Sequence, residues 1–243
     1  MSRKDLKTIG VLGGMGPEAG AYFLEQITRA CLAERDQDHP PVVLYSLPQV
    51  PDRTEAILRG GPSPVPAIRR GLATLRRAGA DFAVISCISA HYFLPKIARR
   101  PPLPVLDLIE TTLAAVRALD PRPGTIGLLA TTGTVRSGLV SGRFEAAGFR
   151  IIVPPGRSQV RVMSAIYGRK GIKAGVKAGP PWEALLDVAL ELVRAGAGAI
   201  LAGCTEVPLA LRPGDLPVPL LDPMVLGARE AVRRSGARLR PCA

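Results

Sequence analysis

The chain has 243 residues, 47% of them hydrophobic and 21% charged, with a formal net charge of +12. That balance excludes a disordered chain, no apolar run is long enough to cross a bilayer, and four cysteines without CxxC spacing beside two histidines exclude a structural zinc site. Scattered arginines, 4% aromatic residues and no nucleic-acid-binding motif set nucleic acid aside and leave solubility and attraction of small anions as the meaning of the charge.

The predicted elements alternate strand and helix. Residues 9–12 form a short apolar run closed by Gly13-Gly14-Met15-Gly16-Pro17, and residues 18–32 carry apolar side chains at helical spacing. The basic N-terminus shows no cleavage pattern, so this run reads as a first strand in a cytoplasmic protein with reduced thiols. A second strand covers 42–47 and ends at Pro48. Residues 51–64 read as a polar loop containing Arg53. A helix over 66–78 stops at Gly79. The strand 82–86 delivers Cys87, a helix is expected over 89–97, and 105–108 form a short strand.

The second half repeats this plan. A strand at 126–130 leads to a threonine-rich turn at 131–134 and a helix to about Ala147. A strand at 150–153 ends in two prolines, and 156–180 read as a long glycine- and lysine-rich stretch. A helix over 181–195 precedes the strand 199–202, which delivers Cys204, and 218–221 form a last strand. Buried-type strands separated by helices predict parallel sheets covered on both faces, with ligands beyond the strand C-termini.

The repeat is measurable. Thr8-Ile9-Gly10 recurs as Thr125-Ile126-Gly127, and Cys87 recurs as Cys204, both displaced by 117 positions (8 to 125, 87 to 204). We therefore expect two similar, pseudo-symmetric α/β domains, residues 1–106 with 222–243 and residues 107–221, each carrying one cysteine. Each cysteine falls where a strand gives way to a helix, whose start directs partial positive charge at a thiol and favours the thiolate. Two matched thiols suit removal of a proton from carbon by one and its return by the other, and this demands no metal or prosthetic group. Hydroxyls of Ser89, Thr131, Thr132, Thr134 and Thr205 could stabilise the anion or simply cap their own turns. His91, four residues after Cys87, could tune the thiol or serve in packing. Cys31 reads as core, Cys242 as a tail thiol and Trp182 as packing.

These residues resemble the aspartate/glutamate racemase family, in particular its cofactor-independent aspartate racemases. The carriers are residues 13–17, Arg35-Asp36-Gln37-Asp38-His39-Pro40, Pro48-Gln49-Val50-Pro51-Asp52-Arg53-Thr54, Cys87 with Ala90-His91, residues 129–134, Ile172-Lys173-Ala174-Gly175 and Gly203-Cys204-Thr205-Glu206. The resemblance implies an active site in the cleft between two α/β domains, a homodimer, and Cys87 and Cys204 as the acid/base pair. It implies that Arg53 and Lys173 hold the distal carboxylate of the substrate. Met15, Gln49 and the 131–134 turn would line the site.

The chain departs from that pattern at Ile88-Ser89, where the family usually has Asn-Thr. Isoleucine offers no side-chain hydrogen bond to an amino-acid head group, and such a loss costs about 1–3 kcal/mol. The expectation is a racemase acting without pyridoxal phosphate on aspartate or a close analogue such as glutamate or cysteate. A cysteine-dependent isomerase or decarboxylase of a dicarboxylate, and a non-catalytic homologue that binds an acidic metabolite, are the alternatives.

Overall fold

A computed structural model describes residues 6–97 and 99–241; Cys242 lies outside the described residues. In chain order the elements are β1 Ile9–Gly13, α1 Pro17–Ala30, β2 Val42–Ser46, α2 Arg53–Leu58, α3 Val65–Arg77, β3 Phe82–Ile85, α4 Leu94–Ile97, β4 Val105–Leu106 and α5 Leu108–Arg117. The second series is β5 Thr125–Leu129, α6 Thr132–Arg136, α7 Ser141–Ala146, β6 Arg150–Ile152, α8 Gly156–Tyr167, α9 Pro180–Arg194, β7 Ala199–Ala202, α10 Val207–Ala210, β8 Leu220–Leu221 and α11 Pro223–Ser235. Four strands form each of two sheets, in the orders β2-β1-β3-β4 and β6-β5-β7-β8, and every pairing is parallel.

The chain divides into two compact units. One holds the described residues up to Pro51, Ser63–Thr111 and those from Met224 onward; the other holds Asp52–Pro62 and Thr112–Pro223. The sequence reading placed the breaks at 106/107 and 221/222 and left 52–62 with the first half. Those eleven residues cluster with the second unit because α2 packs on α6: a Cβ added to Gly133 would lie 3.0 Å from Thr54 Oγ1.

The first unit is built on β1 and β3, whose residues Ile9, Val11, Leu12, Ala83, Val84 and Ile85 are fully buried. On α1, Ala19, Phe23, Ile27 and Ala30 recur at helical spacing and turn one face inward. On α3, Ala67, Ile68, Gly71, Leu72 and Leu75 do the same. Burying one such leucine contributes roughly 1.5–3 kcal/mol. Gly10 lets α3 approach β1: a Cβ there would meet Ala80 Cβ at 3.0 Å and Leu75 Cδ1 at 3.2 Å. The last helix, α11, returns to this unit, and Gly227 sits so close to Leu108 and Phe23 that a methyl group would collide with the leucine.

The second unit repeats the device. Gly127, 117 positions after Gly10, would place a Cβ 2.7 Å from Ile200 Cδ1 and 3.0 Å from Leu192 Cβ. Leu192 itself stands 117 positions after Leu75. Phe144, Val162, Ile166, Leu185 and Val188 complete a dry core around β5 and β7.

Several local expectations are corrected. The loop at 51–64 contains α2, started by Asp52, whose Oδ1 accepts from the Glu55 backbone N–H at 2.9 Å. The helix expected over 89–97 opens as a 3-10 turn, Ile88–Phe93, before α4. The helix expected to run to Ala147 breaks into α6 and α7 around Gly138, whose φ is +65°. The stretch 156–180 holds α8, a regular helix that buries Ser158, Val162, Ala165 and Ile166. No helix among the described residues is long and apolar enough to cross a membrane.

Candidate active site

In the first unit, β3 ends at Ile85 and Cys87 follows two residues later, with 4% of its surface exposed. Cys87 Sγ lies 3.4 Å from Ser89 Oγ. His91 is fully buried. Its Nδ1 donates to the Cys87 carbonyl oxygen at 2.9 Å and its Nε2 accepts from the Leu108 backbone N–H at 3.1 Å. The imidazole thus ties the cysteine turn to the start of α5 by backbone bonds at both nitrogens. Asp107 caps the same helix, its Oδ1 accepting from the N–H groups of Ile109 and Glu110 at 2.9 and 3.2 Å. Ile88 is buried.

Met15, also in this unit, is buried in the β1–α1 turn. Gly14 holds that turn at φ +96°, against the Leu47 backbone, where any side chain would collide. Gln49 lies on an exposed turn after β2.

In the second unit, Cys204 follows β7 by the same two residues and is 7% exposed. Its thiol donates to Glu206 Oε2 at 2.8 Å, and Thr205 Oγ1 approaches the same oxygen at 3.4 Å. The other carboxylate oxygen, Oε1, accepts from Lys173 Nζ at 2.5 Å. Burial, and then the Glu206 charge, push the Cys204 thiol well above its ordinary range, with Lys173 pulling the other way. This corrects the expectation of a helix start that favours the thiolate: the segment after Cys204 is a turn, α10 has only four residues, and a carboxylate faces the sulfur.

Lys173 and Arg53, the two expected carboxylate-binding residues, both belong to this unit. The Lys173 side chain is 21% exposed and its ammonium lies 5.3 Å from the centre of the Tyr167 ring. Arg53, in the first turn of α2, is 7% exposed. The threonine turn sits beside α2 through the contact of Gly133 with Thr54. Its hydroxyls have local partners. Thr131 Oγ1 caps α6 by accepting from the Thr134 N–H at 3.4 Å, and lies 3.2 Å from Thr134 Oγ1. Thr132 accepts from Gln159 Nε2 at 3.2 Å, and its N–H points to Met163 Sδ at 3.2 Å.

The unit therefore brings together Arg53, Thr131, Thr132, Thr134, Lys173, Cys204 and Thr205, while Met15, Gln49, Cys87 and Ser89 belong to the other. Tyr167 and Gln159 carry no signal in the sequence, and Glu206 and Asp52 stand in it only as parts of quoted motifs, with no role assigned. For Glu206 a signal existed, since it stands 117 positions after Ser89 and in the same place relative to its cysteine. Trp182 Nε1, in the first turn of α9, donates to Asp215 Oδ2 at 3.2 Å. Among the described residues no cluster of three or more His, Cys, Asp or Glu side chains could hold a metal ion.

The chain is 24% identical over 231 residues to the broad specificity amino-acid racemase RacX of Bacillus subtilis (strain 168), covering 92% of this chain and 96% of that one. Its fold is similar to that of Picrophilus torridus aspartate racemase, with 30% identity, 96% of each chain covered and a TM-score of 0.85. An aspartate racemase homologue from Pyrococcus horikoshii OT3 shares the fold at 20% identity, with 95% of this chain and 100% of that one covered and a TM-score of 0.74. A family model described as Asp/Glu/Hydantoin racemase matches residues 12–231. By that match, which covers both cysteines, the chain belongs to the Asp/Glu/Hydantoin racemase family.

Proposed function

We propose that this isomerase racemises an acidic amino acid, with Cys87 and Cys204 as its acid/base pair and no pyridoxal phosphate. One cysteine, as the thiolate, takes the α-proton and the other, as the neutral thiol, supplies its replacement. The observation that carries this reading is the contact of Cys204 with Glu206 at 2.8 Å, at a position repeated by Cys87 in the other unit. A thiol held protonated by burial and by a carboxylate is suited to deliver a proton to a carbanion. In the reverse direction the same carboxylate can receive the thiol proton, so that sulfur becomes the base.

Arg53 and Lys173 are proposed to hold the distal anionic group, supported by their location in one unit near the threonine turn. Aspartate leads the substrate list because the Picrophilus torridus relative is named an aspartate racemase. Glutamate and cysteate remain on it because Ile88 replaces the asparagine expected beside Cys87. Met15, Gln49, Ser89, Thr131, Thr132, Thr134 and Thr205 are the remaining proposed substrate contacts. A homodimer is proposed as well, and sedimentation velocity tests it.

Proton NMR in D₂O with L- and D-aspartate, glutamate and cysteate tests the reaction. The expected result is loss of the α-proton signal for at least one of them, absent in Cys87→Ser and in Cys204→Ser. Full exchange by either variant would overturn the two-thiol assignment. Carbon dioxide release from a dicarboxylate in place of exchange would favour the decarboxylase alternative.

A further inference from the structure

Lys173 and α2 are separated by more than a hundred residues of sequence, yet one side chain touches both. Tyr167 closes α8, and its hydroxyl donates to Asp52 Oδ2 at 3.1 Å. Asp52 uses its other oxygen to cap α2, the helix that begins with Arg53. The ring of the same tyrosine lies beneath the Lys173 ammonium, 5.3 Å from its centre.

Local backbone geometry explains why the lysine stands there. Gly168 donates its N–H to the Ser164 carbonyl, and a Cβ on it would collide with that oxygen. A Cβ on Gly171 would lie 2.8 Å from the Ala165 carbonyl oxygen. The chain after α8 therefore doubles back flat against the helix end, which only glycine allows, and the 3-10 turn Ile172–Ala174 brings Lys173 over the tyrosine. Burial and the charges of Cys204 and Asp52 push the phenol well above its ordinary range, so it remains a hydrogen-bond donor at all working pH.

We propose that Tyr167 is a positioning residue that sets the Arg53 helix and the Lys173 cation in one register, and so determines affinity for the distal anionic group of the substrate. The proposal rests on the reading that Arg53 and Lys173 grip that group. Tyr167 has no part in proton transfer. Its removal should therefore weaken ground-state binding without slowing the chemical step.

The test uses Tyr167→Phe, which keeps the ring under Lys173 and deletes the hydroxyl with its tie to Asp52, and Tyr167→Leu, which deletes both. Succinate, a dicarboxylate without an α-amino group, is titrated calorimetrically into each protein, and exchange kinetics are measured on whichever acidic amino acid the wild type turns over. Tyr167→Phe should raise the succinate Kd and the substrate KM together by about tenfold while kcat stays within about twofold, and Tyr167→Leu should raise both further. Tyr167→Phe carries the test alone if the leucine variant does not fold. Unchanged succinate affinity in Tyr167→Phe, a fall confined to kcat, or a wild type that binds no succinate would each overturn the proposal. A wild type whose succinate affinity depends on the Tyr167 hydroxyl yet that exchanges no α-proton would sink the two-thiol reading and leave the positioning role standing.

Discussion

The two units use one scaffold and equip it differently. Each sets a cysteine two residues beyond its third strand in sequence, and each seats a helix on a glycine of its central strand. At the equivalent position two residues after the cysteine, the first unit has Ser89 and the second has Glu206. The first thiol faces a neutral hydroxyl at 3.4 Å; the second faces a carboxylate at 2.8 Å that is itself paired with Lys173. The repeat thus supplies matched positions for the two cysteines, and the residue two places on gives them partners of different charge.

The largest effect should come from the thiols. Cys87→Ser and Cys204→Ser should each lower α-proton exchange by ~10²–10⁴-fold, read by NMR in D₂O. If one variant lost activity and the other kept it, the symmetric half of the comparison would fail.

The asymmetric half is sharpened by Glu206→Gln and Ser89→Ala. Loss of the charged acceptor should cost about 1.5–3 kcal/mol in kcat/KM, against about 0.5–1.5 kcal/mol for the hydroxyl. Equal penalties would mean that the carboxylate gives Cys204 nothing the serine does not give Cys87.

The same difference has a pH signature. In the folded chain Cys204 keeps its proton at a pH where an unfolded thiol, with a pKa of about 8.5, has lost it. Above that value the unfolded chain binds fewer protons than the folded one, so stability falls as pH rises toward the folded pKa. Cys31, raised by burial and by Asp38, adds a loss of the same sign. Urea unfolding at about pH 7 and about pH 10 should show a smaller drop in Cys204→Ser than in the parent. An identical drop would mean that Cys204 is not the group responsible.

The smallest effect concerns the scaffold. Gly127→Ala should destabilise by about 1–3 kcal/mol through overpacking, and Gly10→Ala by less, because its nearest contacts are 3.0–3.2 Å rather than 2.7–3.1 Å. Thermal unfolding of the two variants ranks them, and a reversed order would show that α3 yields less readily than α9.

Much of the fold was legible because strand apolarity and the 117-residue offset are properties of sequence alone. Both sheets follow from runs such as residues 82–86 and 199–202, and the two cysteines follow from their shared position in the repeat. What was not legible depended on side chains meeting across long separations. Asp52 reads as part of a loop until Tyr167, 115 positions away, is seen to bind it. Lys173 meets Glu206, 33 positions away, in an ion pair that no local pattern announces. The helix start at Cys204 also misled, because a dipole argument counts residues and overlooks which charged side chain lies nearest the sulfur.

The return of α11 to the first unit sets a limit on how the halves can be separated. Its Gly227 closes over Phe23 and Leu108, so a fragment made only of the first repeat would leave an aromatic and a leucine uncovered. The repeat that the sequence displays is thus not a pair of interchangeable modules. The earlier half becomes a complete folding unit only after the later half has been translated.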